Sequence, residues 1–282
     1  MTIKQKDKII EKVSGKKVYF NPSKLCSSIV LAGANKKQAE KICEMVDAKI
    51  KPGMTTSSVF RNTLRALVKE DLDIAVRYSI KRGVDALGPD GFLFEKFVEA
   101  LLRLDGYHTQ KNQMMSGRCV EHEIDVLAWK DRNYYIVEAK FRNDSSGTTH
   151  INQVMYADAR MKDIASNKIN NKDGSRHFHT WVITNAIFTE HAQKFARCAG
   201  VRLTGWNYPN KDSLQSIIVR TKAYPITVLP SLSRDAREKL TKYGLVLAQD
   251  ILPYTKETLI RDFGIAPQTA AKIQKEVAQL LK

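Results

Sequence analysis

A chain of 282 residues with 43% hydrophobic and 27% charged residues has the make-up of a folded globular protein, which excludes the disordered and fibrous classes. Its length accommodates about two or three domains of ordinary size. Lysine and arginine total 46 against 30 acidic residues, a formal net charge of +16 with a pI of about 9.6, so the natural partner is a polyanion.

The first residues, MTIKQKDKIIEKVSGKK, lack the apolar run of a signal peptide, and nowhere do about 18 apolar residues follow one another as a membrane span requires. A cytoplasmic protein with no membrane partner is expected. No basic amphipathic helix with a broad aromatic face stands out, which favours nucleic acid over an anionic bilayer. Cys26, Cys43, Cys119 and Cys198 include no CxxC pair, so neither zinc nor a disulfide framework is signalled, and buried or inert thiols are expected.

Two strand-like pieces, Lys8 to Val13 and Lys17 to Phe20, meet at Ser14-Gly15 as a small hairpin. Helices are predicted near Ser23 to Ala32, from Lys36 to Ile50, from Ser57 to Lys69 and from Asp71 to Val84. The second of these puts Ala39, Ile42, Cys43, Val46 and Ile50 on one face. Gly88-Pro89-Asp90-Gly91 breaks the pattern, and an amphipathic helix from Gly91 to Leu104 follows, with Phe94, Phe97, Val98, Leu101 and Leu102 at helical spacing. Strands are predicted at Tyr107 to Gln110, Cys119 to Ala128 and Tyr134 to Lys140. A polar loop over Asn143 to Thr149 leads to a helix from Ile151 to Ser166, a strand from Thr180 to Thr184, a helix near Glu190 to Ala199 and a short strand from Val201 to Thr204. This order is an α/β plan with a mixed sheet. After a second break around Tyr224-Pro225 to Leu229-Pro230, residues Ser231 to Lys282 read as three or four short helices, with Gly244 and Gly264 at turns. No internal repeat is evident.

The chemistry lies in the middle segment. In Glu123-Ile124-Asp125-Val126-Leu127 the alternation projects Glu123 and Asp125 from one face of a strand, and Tyr135-Ile136-Val137-Glu138-Ala139-Lys140 does the same for Glu138 and Lys140. Two neighbouring strands thus converge two carboxylates and an amine. Hard divalent cations prefer oxygen ligands, and such an ion lowers the pKa of a bound water while offsetting charge on a phosphate. The spacing D125-x12-E138-x-K140 resembles the PD-(D/E)xK nuclease signature in its Mrr-like restriction endonuclease branch, over roughly Gly88 to Trp206. The resemblance implies Asp125 and Glu138 as ligands of Mg²⁺ or Mn²⁺, the Ala139 carbonyl as a third, and Lys140 as the water-positioning amine. It also implies Glu95 on the leading helix as the acidic residue that orders metal or water, and Gln153 near the site. Ile124 stands where the family name has proline. His122 and Glu123 could add ligands, though a turn-side histidine next to acids reads more readily as a satisfied surface group, and His177 and His179, alternating on an edge strand, read as non-metal residues. Arg142, Lys162, Lys168, Lys172 and Arg176 are candidates for phosphate contacts.

The first segment, with IIEKVSGKKVYFNPSKLCSSI, TTSSV and AVRYSIKRG, resembles the ATP-cone regulatory domain over about residues 8 to 84. That resemblance implies a bound purine nucleotide, ATP or dATP, as an effector, with Lys12, Gly15 and Lys24 as its candidate contacts. Val13-Ser14 departs from the family's usual Lys-Arg-Asp-Gly. The last segment, with TLIRDFGIAPQTAAKIQKEVAQLL, resembles a helix-hairpin-helix, whose turn at Phe263-Gly264-Ile265-Ala266 would present N–H groups to a phosphate.

The expected architecture is therefore a multidomain α/β protein. A restriction-endonuclease-like mixed sheet flanked by helices (residues 88–228) lies between a mostly helical ATP-cone-like domain (1–87) and a small all-α, helix-hairpin-helix-like DNA-binding domain (229–282). The expected function is metal-dependent hydrolysis of DNA phosphodiesters under nucleotide control, in a homo-oligomer. The rivals are a nuclease for RNA or branched DNA, and a nucleotide-responsive DNA-binding protein on a degenerate nuclease fold. A reductase-gene repressor is a further rival, though the chain lacks that regulator's zinc-ribbon cysteines.

Overall fold

The computed structural model describes residues 8–12, 14–89, 91–143, 147–171 and 174–281. Val13, Asp90, Lys172 and the centre of the 143–149 loop, named above, lie outside them. The chain divides near residue 80 into two compact units.

The first unit opens with an antiparallel hairpin, β1 (Ile9–Glu11) and β2 (Lys17–Tyr19), with Ile10 opposite Val18. Gly15 turns it at φ +77°, a backbone conformation that costs glycine little. Four helices follow: α1 (Pro22–Leu31), α2 (Lys36–Asp47), α3 (Thr56–Glu70) and α4 (Leu72–Asp85). Their starts are set locally. Asn21, Asn35 and Thr55 each accept the backbone N–H three residues on, and Gln38 returns the favour to the Asn35 N–H as a capping box. The predicted stripe Ala39, Ile42, Cys43, Val46 and Ile50 is buried, against Leu25 and Ile29 of α1 and Leu67 of α3. The expectation of unpaired thiols fails here. Cys26 of α1 and Cys43 of α2 form a disulfide with Cα atoms 5.7 Å apart, because two packed helices juxtapose cysteines that sequence spacing leaves unrelated. Cys119 and Cys198 are free and exposed.

The second unit starts from α5 (Phe92–Leu104), whose predicted stripe Phe94, Phe97, Val98, Leu101 and Leu102 is fully buried. It packs across β3 (His108–Ser116), β4 (Glu121–Lys130) and β5 (Asn133–Lys140). The short β6 (Thr148–Thr149), α6 (Ile151–Ser166), β7 (His177–Thr184), the short β8 (Ile187–Phe188), α7 (Glu190–Ala199), β9 (Arg202–Thr204) and α8 (Leu214–Thr221) follow. The five-stranded sheet has the order β3-β4-β5-β7-β9, antiparallel from β3 to β5 and parallel from β5 to β9, so it is mixed as predicted. Strand β7 lies between β5 and β9 and is not an edge strand, which corrects the placement of His177 and His179. Val154 and Ala157 of α6 and Ala192 and Ala196 of α7 cover Val182 and Leu203 of the sheet.

The C-terminal helices α9 (Arg234–Lys242), α10 (Lys256–Arg261) and, as far as Val277, α11 (Pro267–Leu280) belong to the same unit. A small plan recurs in them that the sequence does not advertise. Ser233 caps α9 and Thr255 caps α10; each helix runs into an aromatic residue and a left-handed glycine, Tyr243-Gly244 (φ +79°) and Phe263-Gly264 (φ +61°). The next N–H, of Leu245 or Ile265, then closes on a carbonyl of the preceding helix, Leu240 or Leu259. Tyr243 and Tyr254 both stand edge-on to Phe263 at 4.9 Å. No helix among the described residues is long and apolar enough to cross a membrane.

Candidate active site

The β4–β5 register, with Val126 opposite Val137 and Leu127 opposite Ile136, brings Asp125 and Glu138 next in line on the same face. The β4–β5 ladder ends at Val126, and the β3–β4 ladder skips Asp125. Its neighbours pair with Lys111 and Gln113 on β3, while Asn112 between them takes a left-handed conformation at φ +49°. Freed from regular pairing, the Asp125 carboxylate accepts a 2.7 Å hydrogen bond from the Ala139 N–H. Burial first, then the charge of Glu138, raises the Asp125 carboxyl to about 7; the Ala139 N–H opposes the shift and Glu95 adds to it. Glu95, in the first turn of α5, shares the electrostatic neighbourhood of Asp125. Lys140 follows Glu138 on the same face of β5, and among the described residues its amine donates no hydrogen bond.

Gln153 does not join the trio by any hydrogen bond. It sits in the first turn of α6, where its Oε1 accepts from Arg142 Nη2 at 2.8 Å and from the His150 N–H at 3.1 Å. Arg142 Nη2 is thereby engaged, while its buried Nε has no partner among the described residues. Among the other predicted phosphate contacts, Lys162 pairs with Asp158 at 2.7 Å, and Arg176 donates to the Asn170 carbonyl and lies over the Tyr134 ring. Lys168 is exposed. His122 is a satisfied group, its Nε2 2.8 Å from Asp163, and His179 meets Asn133 at 3.0 Å. Lys12, Gly15 and Lys24, in the first unit, are exposed at the hairpin and the start of α1, and a Cβ on Gly15 would meet nothing within 4 Å.

Two residues of the site escape a reading of the sequence. Arg160 of α6 is 8% exposed, donates to the Glu123 carbonyl at 2.8 Å and forms an ion pair with Glu138, while its Nε has no partner among the described residues. The signal was present: Val154, Ala157 and Ile164 form the buried stripe of α6, and position 160 falls on it, where a cation needs a carboxylate. Asn185, fully buried, accepts the Arg142 N–H at 2.8 Å and donates to the Arg142 carbonyl at 2.9 Å, so it pins the chain two residues beyond Lys140.

Comparison with known proteins follows this geometry. Residues 89–207 match a family described as restriction endonuclease, and residues 224–281 match a family described as AF1548-like, C-terminal. An uncharacterized protein of Archaeoglobus fulgidus is 33% identical over 183 residues, which are 64% of this chain and 98% of the relative. The crystal structure of AF1548, a protein of unknown function, is similar with a TM-score of 0.55 and 31% identity, covering 68% of this chain and 98% of that one. A relative matched almost end to end at this identity, together with an endonuclease match lying over the sheet that carries Asp125, Glu138 and Lys140, places the chain in the AF1548-like family, with a restriction-endonuclease-type core of the Mrr-like, PD-(D/E)xK kind.

Proposed function

We propose that the protein is a metal-dependent nuclease that hydrolyses DNA phosphodiester bonds at Asp125, Glu138 and Lys140. The observation that carries this reading is the convergence of Asp125 and Glu138 on one sheet face, with Ala139 hydrogen-bonded to the first of them and the Lys140 amine on the same face, unengaged among the described residues. The two carboxylates are oxygen donors of the kind a hard cation takes, although among the described residues no group of three or more His, Cys, Asp or Glu side chains is placed to hold an ion. Asp125 is held at about 7 by burial and by Glu138, an excess of negative charge that a divalent ion would relieve. In antiparallel pairing a residue's N–H and C=O point to the same neighbour, so the Ala139 carbonyl lies on the Asp125 side as a third oxygen ligand. A bound Mg²⁺ or Mn²⁺ would supply Lewis acidity and a water of lowered pKa. The protein's own share is to fix the two carboxylates through Ala139 and Arg160 and to orient the attacking water from the Lys140 amine. Purified protein with Mg²⁺ or Mn²⁺ is expected to cut DNA, with Lys140→Ala slower by at least about 100-fold, the scale of a lost transition-state contact. Absence of cutting on duplex, branched and single-stranded DNA, with and without ATP or dATP, would end this reading.

One observation favours a second reading. The Arg160 guanidinium already satisfies Glu138, as a ligand-free carboxylate in a DNA-binding protein on a silent nuclease fold would require. Calorimetric titration with Mn²⁺ separates the two, since a silent site takes up no ion and a nuclease does. The first unit is proposed as a purine-nucleotide effector domain, supported by the open glycine turn and the exposed Lys12 and Lys24. Fluorescent ATP that fails to bind the full chain would remove that proposal.

A further inference from the structure

A groove of about 520 Å³ lies within the second unit, between one face of α5 and the turns of the C-terminal helices. Such a volume suits a nucleotide-sized group, since ligand pockets run from roughly 300 to 1,000 Å³. One wall is the row Lys96, Ala100, Arg103 on successive turns of α5, with Lys111 of β3 beside it. The opposite wall is Tyr243-Gly244 and Tyr254.

The two carboxylates that also line the groove are committed elsewhere. Glu99 is buried and holds Arg103 and the Thr109 hydroxyl, and Asp250 caps the Val246 and Leu247 N–H groups at 2.8 Å. The amines are not so committed. Lys96 and Lys111 make no ion pair among the described residues; Lys111 lies 5.2 Å over the exposed Phe92 ring. Lys96 reaches directly over Gly244, where any Cβ would collide with its Nζ, so the glycine is what lets the amine into the groove. Tyr243 presents a ring that is 62% exposed, braced from behind by Phe263.

We propose that this groove binds an unpaired stretch of nucleic-acid strand, with phosphates on Lys96 and Lys111 and a base against Tyr243. Uncommitted amines set opposite a braced, exposed aromatic ring are the two components that single strands need, a cationic track and a stacking platform. The α5 row spans about 10 Å at 1.5 Å per residue, longer than one phosphate, which fits a strand rather than a free nucleotide. The inference rests on nucleic acid being the partner and holds whether or not the strand is cut.

The test is fluorescence anisotropy with the full chain in EDTA, using a labelled single-stranded oligonucleotide. Lys96→Glu with Lys111→Glu is expected to weaken binding by at least tenfold, and Lys96→Gln with Lys111→Gln to lower the salt slope by about 1.4, two phosphate contacts on a single strand. Tyr243→Ala is expected to lose about tenfold and Tyr243→Phe to keep affinity, because stacking needs the ring alone. Unchanged thermal midpoints show that the variants fold. Wild-type affinity in both lysine pairs overturns the proposal, as does equal affinity for duplex or for a mononucleotide. Adding Mn²⁺ to the wild-type complex separates the two readings: a strand that is bound in EDTA and stays intact with Mn²⁺ sinks the nuclease and leaves the groove standing, while normal binding by the lysine pairs sinks the groove.

Discussion

Burial and the charges of Glu138 and Glu95 raise the Asp125 carboxyl to about 7. The unfolded chain ionises an aspartate near pH 3.9, so across the window from about 4 to 7 the folded state holds a proton that the unfolded state has released. Stability from this group is therefore complete below about pH 4 and is lost as pH rises through 7. Asp125→Asn should abolish cutting and still make the metal-free protein more stable at pH 8, by about 2–4 kcal/mol, the linkage value of a shift this large. Urea unfolding in EDTA from pH 4 to 8 checks this; a wild-type profile with no decline would refute it. Arg160 acts in the opposite direction: its charge lowers the Asp125 carboxyl, and it pairs with Glu138. Arg160→Gln strands a half-buried carboxylate and should cost about 3–5 kcal/mol without metal. Saturating Mn²⁺ should recover much of that loss in a thermal melt, whereas no recovery would speak for a site that takes no ion.

Among the elements, the paired turns of the C-terminal helices give a controlled comparison. Gly244 and Gly264 share a positive φ, so alanine at either one incurs the left-handed penalty, about 1 kcal/mol. Their surroundings differ. A Cβ at Gly264 would touch Lys239 at an ordinary 3.6 Å, while one at Gly244 must push Lys96 aside. Gly244→Ala should therefore be no more than slightly worse in stability, since a lysine tip moves easily, yet weaken single-strand binding where Gly264→Ala does not; equal binding by the two would contradict the geometry. Elements with strong periodicity were legible before any coordinates. The stripes of α2 and α5 and the strand pair carrying Asp125 and Glu138 need only alternation and 3.6-residue spacing. Helix α8 was not, because Leu-Gln-Ser-Ile-Ile-Val-Arg-Thr is two turns long and rich in β-branched residues, so Ser213 as a cap was its main signal. The interior position of β7, the Cys26–Cys43 pairing and the Arg160–Glu138 contact depend on which elements become neighbours, information that periodicity does not hold.

At the scale of the whole molecule, the two units have separate cores, one around Ile29, Ile42 and Leu67, the other around the sheet. Both family matches fall after residue 88, and 183 residues of this chain suffice to cover 98% of the Archaeoglobus fulgidus relative. A protein can thus consist almost wholly of what is shared with this chain and lack a counterpart for about a third of it. Residues 72–282, cut so that α4 stays whole, should accordingly fold alone in a single cooperative transition, as a unit with its own core does. Because Asp125, Glu138, Lys140 and the groove residues all lie within it, the fragment should bind oligonucleotide with the affinity of the full chain at 200 mM salt. At 50 mM it should bind several-fold more weakly, since removing part of a chain of net charge +16 removes long-range attraction that low salt no longer screens. What it should lose altogether is any response of binding or cutting to ATP or dATP. A fragment that melts without cooperativity would deny the second unit its independence, and one that still answers to nucleotide would move the effector site out of residues 8–71.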